Sequence, residues 1–125
     1  MKTGGKILVV DDNGIFRNLV STMLARLGYD VSTADSGESG LSIFLKNKFD
    51  VVLSDFEMPG MDGVAFARSV KNSSPLTRVV IMTGSDTGTV FSTENPAVDK
   101  VISKPFTMEE IGETIRSVSG QALCA

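Results

Sequence analysis

The sequence predicts an α/β domain: a doubly wound, five-stranded parallel sheet of order 2-1-3-4-5 with helices on both faces. Three observations carry that expectation. Short apolar or alternating runs recur along the chain, with stretches of helical spacing between them. Alternation of strand and helix gives a parallel sheet with right-handed crossovers. Four of the five runs end in polar residues of distinct type: Asp11-Asp12, Asp55, Thr83 and Lys104. In a parallel sheet such ends share one edge, and open α/β sheets bind their ligands there. Finally, 125 residues with a 42% hydrophobic share suit one ordinary domain with a real core. The single domain is expected over 1–125, with its core at about 5–119 and a tail after it.

KILVV, Lys6 to Val10, is the first strand, and it ends at Asp11-Asp12. Ile15, Phe16, Leu19, Val20, Met23, Leu24 and Leu27 then make one broad apolar helix face. Gly28 suits the left-handed position after that helix. Tyr29 to Ala34 alternates and reads as a half-buried strand nearer an edge. Ser36 is placed to cap a second helix, in which Leu41, Phe44 and Leu45 share a face.

Val51, Val52 and Leu53 form a buried strand, and Asp55 stands at its exit. Pro59-Gly60 and Asp62-Gly63 are turn chemistry, so a tight loop curls back beside that carboxylate. Asp62 caps a third helix from Gly63 to about Val70, and Asn72 to Pro75 is a loop. Arg78 to Met82 is the fourth strand and ends at Thr83-Gly84. The Ser85 to Pro96 segment is rich in Ser, Thr, Gly and Asp; alternation asks for a helix there, propensity argues for a short or irregular one, and the Gly/Ser/Thr content for a mobile one. Lys100 to Ser103 is the fifth strand, ending at Lys104-Pro105, where a cis bond would fix the turn. Thr107 and Glu110 form a capping box, and Met108, Ile111, Ile115 and Val118 give the last helix its stripe. Ser119 to Ala125 reads as a tail.

Composition removes several function classes. Twelve basic against fifteen acidic residues leave a net charge of −3, with no basic stripe for nucleic acid. No apolar stretch is long enough to span a bilayer, and the start lacks a signal-peptide layout. The one cysteine, Cys124, cannot form an internal disulfide, which points to a reducing, cytoplasmic setting. There is no histidine, so His triads, His metal sites and a phospho-His on this chain are excluded.

Taken singly, the edge residues have ordinary explanations. Asp12 can cap the first helix, Thr83 or Asp55 a loop, and Lys104 can be a solvated charge. Together they describe chemistry. Three carboxylates in a small pocket repel one another and stay ionised only around a cation. Hard oxygen ligands with room for water suit Mg²⁺. Two carboxylates can hold the metal while the third reacts as a nucleophile toward a phosphoryl group. The acyl phosphate so formed needs a cation and a hydroxyl donor, and Lys104 and Thr83 are those groups.

The motifs ILVVDDN, VVLSDFEMPGMDG, VVIMTG and ISKPF resemble those of receiver (response-regulator) domains of two-component signalling, over nearly the whole chain. The resemblance implies a flavodoxin-like fold, with Asp55 as phosphoacceptor. It implies Mg²⁺ on Asp11, Asp12, Asp55 and the Glu57 backbone carbonyl, with Thr83 and Lys104 on the phosphoryl group. It implies a sensor histidine kinase or histidine phosphotransfer protein as donor, and a downstream effector as second partner. The chain would then catalyse only its own phosphorylation and dephosphorylation. It departs from the family pattern at Val101, where a Tyr or Phe is usual, and in the poor helix of Ser85 to Pro96. Glu57, two residues past the acceptor, either orients or obstructs water, or is simply solvated.

Three other readings compete. A Mg²⁺ phosphohydrolase with an aspartyl-phosphate intermediate usually carries D-x-D after the first strand; here the residues are Asp11-Asp12-Asn13. A docking module that is not phosphorylated has no use for the complete acceptor set. Flavin binding lacks a phosphate-cradling Gly loop after the first strand.

Overall fold

The structure, a computed structural model, describes residues 5–58, 60–84 and 96–123. Five parallel strands form one sheet of order β2-β1-β3-β4-β5. They are β1 (Lys6–Val10), β2 (Asp30–Ala34), β3 (Val51–Asp55), β4 (Arg78–Thr83) and β5 (Lys100–Ser103). Four helices are described: α1 (Gly14–Arg26), α2 (Gly37–Lys46), α3 (Gly63–Ser73) and α4 (Met108–Leu123). The expected strand order holds. The helix expected within Ser85 to Pro96, and its mobility, lie outside the described residues except for Pro96.

Side chains of a strand alternate between faces, and the core divides accordingly. Leu8, Val10, Val52, Val79 and Ile81 pack with Phe44, Phe66 and Val70 of α2 and α3. Ile7, Val9, Val51, Leu53, Val80 and Met82 pack with Val20 and Leu24 of α1 and Ile111 and Ile115 of α4. The inner strands β1, β3 and β4 are therefore nearly continuous apolar runs, as strands covered on both faces must be. β2, at one edge, is only half-buried.

The caps follow local chemistry. Ser36 Oγ accepts from Ser39 N–H, and Asp62 Oδ1 accepts from Ala65 N–H. Thr107 and Glu110 form the reciprocal capping box: each side chain accepts from the other's backbone N–H. Gly28 follows α1 with φ 100°, the left-handed position that favours glycine.

Several local expectations need correction. Ile15 and Leu19 were expected in the apolar face of α1, but they are 85% and 50% exposed. A helix lying on a sheet buries a stripe, here Val20 and Leu24 with Phe16, Met23 and Leu27 beside them; Ile15 and Leu19 fall on its shoulder. Leu45 and Met108 are exposed in the same way on α2 and α4. Tyr29 precedes β2 rather than joining it. α3 runs on to Ser73 and stops because Pro75 holds Ser74 out of the helical region. α4 continues through Ser119–Leu123, where a tail was expected; Gln121, Ala122 and Leu123 are good helix formers.

Candidate functional site

The parallel sheet delivers the ends of β1, β3, β4 and β5 to one edge, and four of the polar residues read from the sequence meet there. Asp11 follows β1 and is fully buried. Its Oδ1 accepts from Asn13 N–H at 2.9 Å, and its Oδ2 lies 3.1 Å from Lys104 Nζ. Arg17 donates to the Asp11 backbone carbonyl at 2.8 Å and so fixes the turn from β1 into α1. Asp12 is exposed, and it does not cap α1. That task falls to Asn13, whose Oδ1 accepts from Phe16 N–H at 3.0 Å. Asp12 is thereby left turned to the edge.

Asp55 closes β3 and is 9% exposed. Its Oδ1 lies 3.1 Å from Lys104 Nζ. The Asp55 carboxyl titrates above the usual carboxylate range. Burial is the main cause, the Lys104 cation opposes it, and Asp11 and Asp12 add to it. Glycine at 63 sets how closely the following loop returns. A Cβ there would stand 2.5 Å from the Asp55 carbonyl oxygen and 3.0 Å from Phe56 Cα. Gly63 N–H donates to the Phe56 carbonyl at 2.8 Å and closes the loop.

Lys104 follows β5 across a cis peptide to Pro105. Its backbone N–H donates to the Thr83 carbonyl at 2.8 Å. Its Nζ touches both Asp11 and Asp55 and lies 4.7 Å from the centre of the Phe16 ring. Burial works against the ammonium, but the two carboxylates outweigh it and hold its pKa above the ordinary value. A solvated surface charge is therefore the wrong description of Lys104. Thr83 ends β4 and is 2% exposed. Glu57 stands exposed in the loop after β3.

One carboxylate oxygen each from Asp11, Asp12 and Asp55 lie within 4.8 Å of one another. Three hard, anionic oxygen donors at that spacing fit Mg²⁺. Asp11 still has lone pairs to offer after its two contacts, and Asp12 supplies the exposed face. Arg17 and Phe16 were missed as members of this site. Phe16 reads only as part of an apolar stripe, and Arg17 only as a charge on a helix. The signal was their place one turn after a strand-ending acidic pair. An open groove runs along β5 and α4, lined by Lys100, Val101, Glu110, Glu113 and Thr114. Among the described residues it holds no group of three side chains spaced to bind a metal.

The family model of the response regulator receiver domain matches residues 7–116. A probable chemotaxis protein CheY of Rhizobium etli is 33% identical over 119 residues, covering 92% of each chain. A probable transcriptional regulator ycf27 of Porphyridium aerugineum is 34% identical over 90% of this chain, which spans only 47% of that protein. Among solved structures, the response regulator TrrA of Thermotoga maritima, in complex with Mg²⁺-BeF, superposes with a TM-score of 0.83 at 29% identity, over 92% of this chain and 99% of that one. No described helix is long and apolar enough to cross a membrane. With its sheet order, its acidic edge and these matches, the chain belongs to the response regulator receiver domain family of two-component signalling.

Proposed function

We propose that this receiver domain is a phosphoacceptor switch: Asp55 takes a phosphoryl group from a phosphohistidine on a partner protein, and the modified domain changes its partner binding. The observation that carries the reading is the setting of Asp55. Its carboxylate is paired with Lys104 at 3.1 Å and sits within ligand reach of two further carboxylates.

An Asp55 carboxylate oxygen attacks the phosphorus, a P–O bond forms, and the P–N bond of the phosphohistidine breaks. The imidazole nitrogen leaves with the electron pair. The absence of histidine from this chain agrees with a receiving role. The acyl phosphate adds charge and strong acceptor oxygens. Lys104 Nζ and the Thr83 hydroxyl are the groups assigned to meet them. Asp11, Asp12, Asp55 and the Glu57 carbonyl are assigned to hold Mg²⁺, which when bound neutralises the crowded carboxylates and the phosphoryl oxygens. That the similar TrrA structure is in complex with Mg²⁺-BeF supports Mg²⁺ as the ion.

Lys104 and Thr83 stand at the ends of β5 and β4, so their capture by the phosphoryl group biases the surface built on those strands. Val101 is half-buried there, in place of the usual aromatic residue. The donor is a sensor histidine kinase or histidine phosphotransfer protein, and an effector reads the changed surface. The test is incubation with Mg²⁺ and acetyl phosphate, followed by mass spectrometry. Wild type is expected to gain one phosphoryl group at Asp55 and Asp55→Asn none. A phosphoryl group elsewhere, or none, rejects the reading. Pull-down with and without beryllofluoride then isolates the partner that reads the state.

A further inference from the structure

We propose that the Phe16 ring is a positioning element for Lys104, holding its ammonium between Asp11 and Asp55 before a phosphoryl group arrives. The inference rests on the phosphoacceptor reading for its purpose, and on contact geometry for its substance. An ammonium has three N–H donors on a flexible four-carbon stem. Two carboxylate oxygens, each 3.1 Å from Nζ, occupy part of that sphere. The Phe16 ring, 4.7 Å from Nζ to its centroid, covers another part. That separation is inside the range at which a ring face attracts a cation. Without the ring, this side of the ammonium opens to water, which draws it outward.

The ring is itself held. Phe16 N–H donates to the Asn13 cap, one residue after Asp12, so the turn that places the acidic pair also places Phe16. Its ring meets Phe106 edge-on, with centroids 5.5 Å apart and planes at 76°. Phe106 is buried and lies two residues after Lys104 on the same turn. The ring and the turn carrying Lys104 are thus one packed unit, joining α1 to the end of β5. An apolar residue without a π face fills the same space but offers the cation nothing. When Asp55 becomes an acyl phosphate, Nζ must move toward the phosphoryl oxygens. Attraction to a ring face is electrostatic and broad, so a short displacement across it keeps most of the contact.

A fluorinated phenylalanine series at position 16 separates charge from shape, because fluorine drains the ring face while nearly preserving its outline. Two readouts are taken. In the resting protein, the order parameter of the Lys104 ε-methylene is measured by NMR relaxation. With acetyl phosphate and Mg²⁺, the rate of phosphorylation at Asp55 is measured by mass spectrometry. Order and rate are expected to fall stepwise with fluorination, the rate by roughly three- to tenfold for the pentafluoro ring. Phe16→Trp is expected to retain both, and Phe16→Leu to lower both by less than the pentafluoro ring, whose reversed face repels the cation. Unchanged order and rate across the fluorinated series would overturn the proposal and leave Phe16 a packing residue. If wild type takes no phosphoryl group, the functional reading fails, while the order parameter still decides whether the ring places Lys104.

Discussion

Lys104, at the end of β5, reaches past β4 to place its Nζ 3.1 Å from Oδ1 of Asp55 at the end of β3. The same ammonium lies 3.1 Å from Oδ2 of Asp11, which is fully buried. One cation therefore serves two carboxylates. Removing it leaves Asp11 without its counter-charge in a buried place, which proteins tolerate poorly.

Lys104→Met keeps the stem and deletes the charge. Breaking a buried pair costs about 3–5 kcal/mol. Lys104 keeps 21% of its side chain exposed, so the expected loss is about 2–3 kcal/mol by urea denaturation without divalent ions. Mg²⁺ is expected to restore more stability to this variant than it adds to wild type. The pair also sets an alkaline limit. The Lys104 pKa is raised above 10.5 in the folded protein. Its contribution is complete below that value and is lost as pH climbs through the raised one. Equal urea midpoints for variant and wild type at neutral pH would reject this account.

Asp55→Asn is expected to stabilise the metal-free protein at neutral pH. Burial, opposed by Lys104 and aided by Asp11 and Asp12, raises the Asp55 carboxyl above 3.8. The folded protein therefore keeps a proton that the unfolded chain has released. Stability falls as pH rises from 3.8 through the raised value, and the cost persists above it. Asparagine cannot ionise and escapes that cost. The difference between the two urea midpoints should open with rising pH and shrink when Mg²⁺ is added. A wild type more stable than Asp55→Asn at neutral pH without divalent ions would reverse the sign.

The edge was legible because it depends on strand ends, and strand ends depend on short apolar runs that are easy to see. Asp11, Asp55, Thr83 and Lys104 each close or follow such a run, so topology alone brought them together. Sheet order needed the further assumption of right-handed crossovers. What stayed hidden were contacts set by direction rather than spacing. Nothing in a stripe of seven apolar residues says that Phe16 turns toward a lysine while Ile15 faces solvent. Nor does the adjacent pair Asp11-Asp12 reveal which is buried and which is exposed. That division depends on Asn13 taking the cap.

Gly63→Ala tests the tightness of the loop beside the acceptor. The added Cβ would meet backbone, the Asp55 carbonyl at 2.5 Å and Phe56 Cα at 3.0 Å, so no flexible side chain can yield. Overpacking of this kind costs about 1–3 kcal/mol. The variant is expected to lose that stability and, because β3 must shift, to phosphorylate more slowly at Asp55. Gly60→Ala makes a contrasting control. It meets no atom within 4 Å, and its penalty comes only from φ 84°. Gly63→Ala with wild-type stability and rate would show that the loop moves freely from Asp55.

Glu57 is exposed two residues beyond Asp55, in the loop that follows β3. A carboxylate there either aligns an attacking water or shields the phosphorus from it. The negative charge of the phosphoryl group repels Glu57 and keeps its carboxylate from closing on an attacking water, so aligning that water is disfavoured and shielding is the expected role. Glu57→Ala is therefore expected to shorten the lifetime of phosphorylated Asp55 severalfold. Glu57→Gln, which keeps the bulk, should fall between the two. Lifetimes are read by following loss of the phosphoryl group after the donor is removed. A longer lifetime in Glu57→Ala would assign the residue to aligning water instead, and equal lifetimes would leave it a solvated loop residue with no part in the switch.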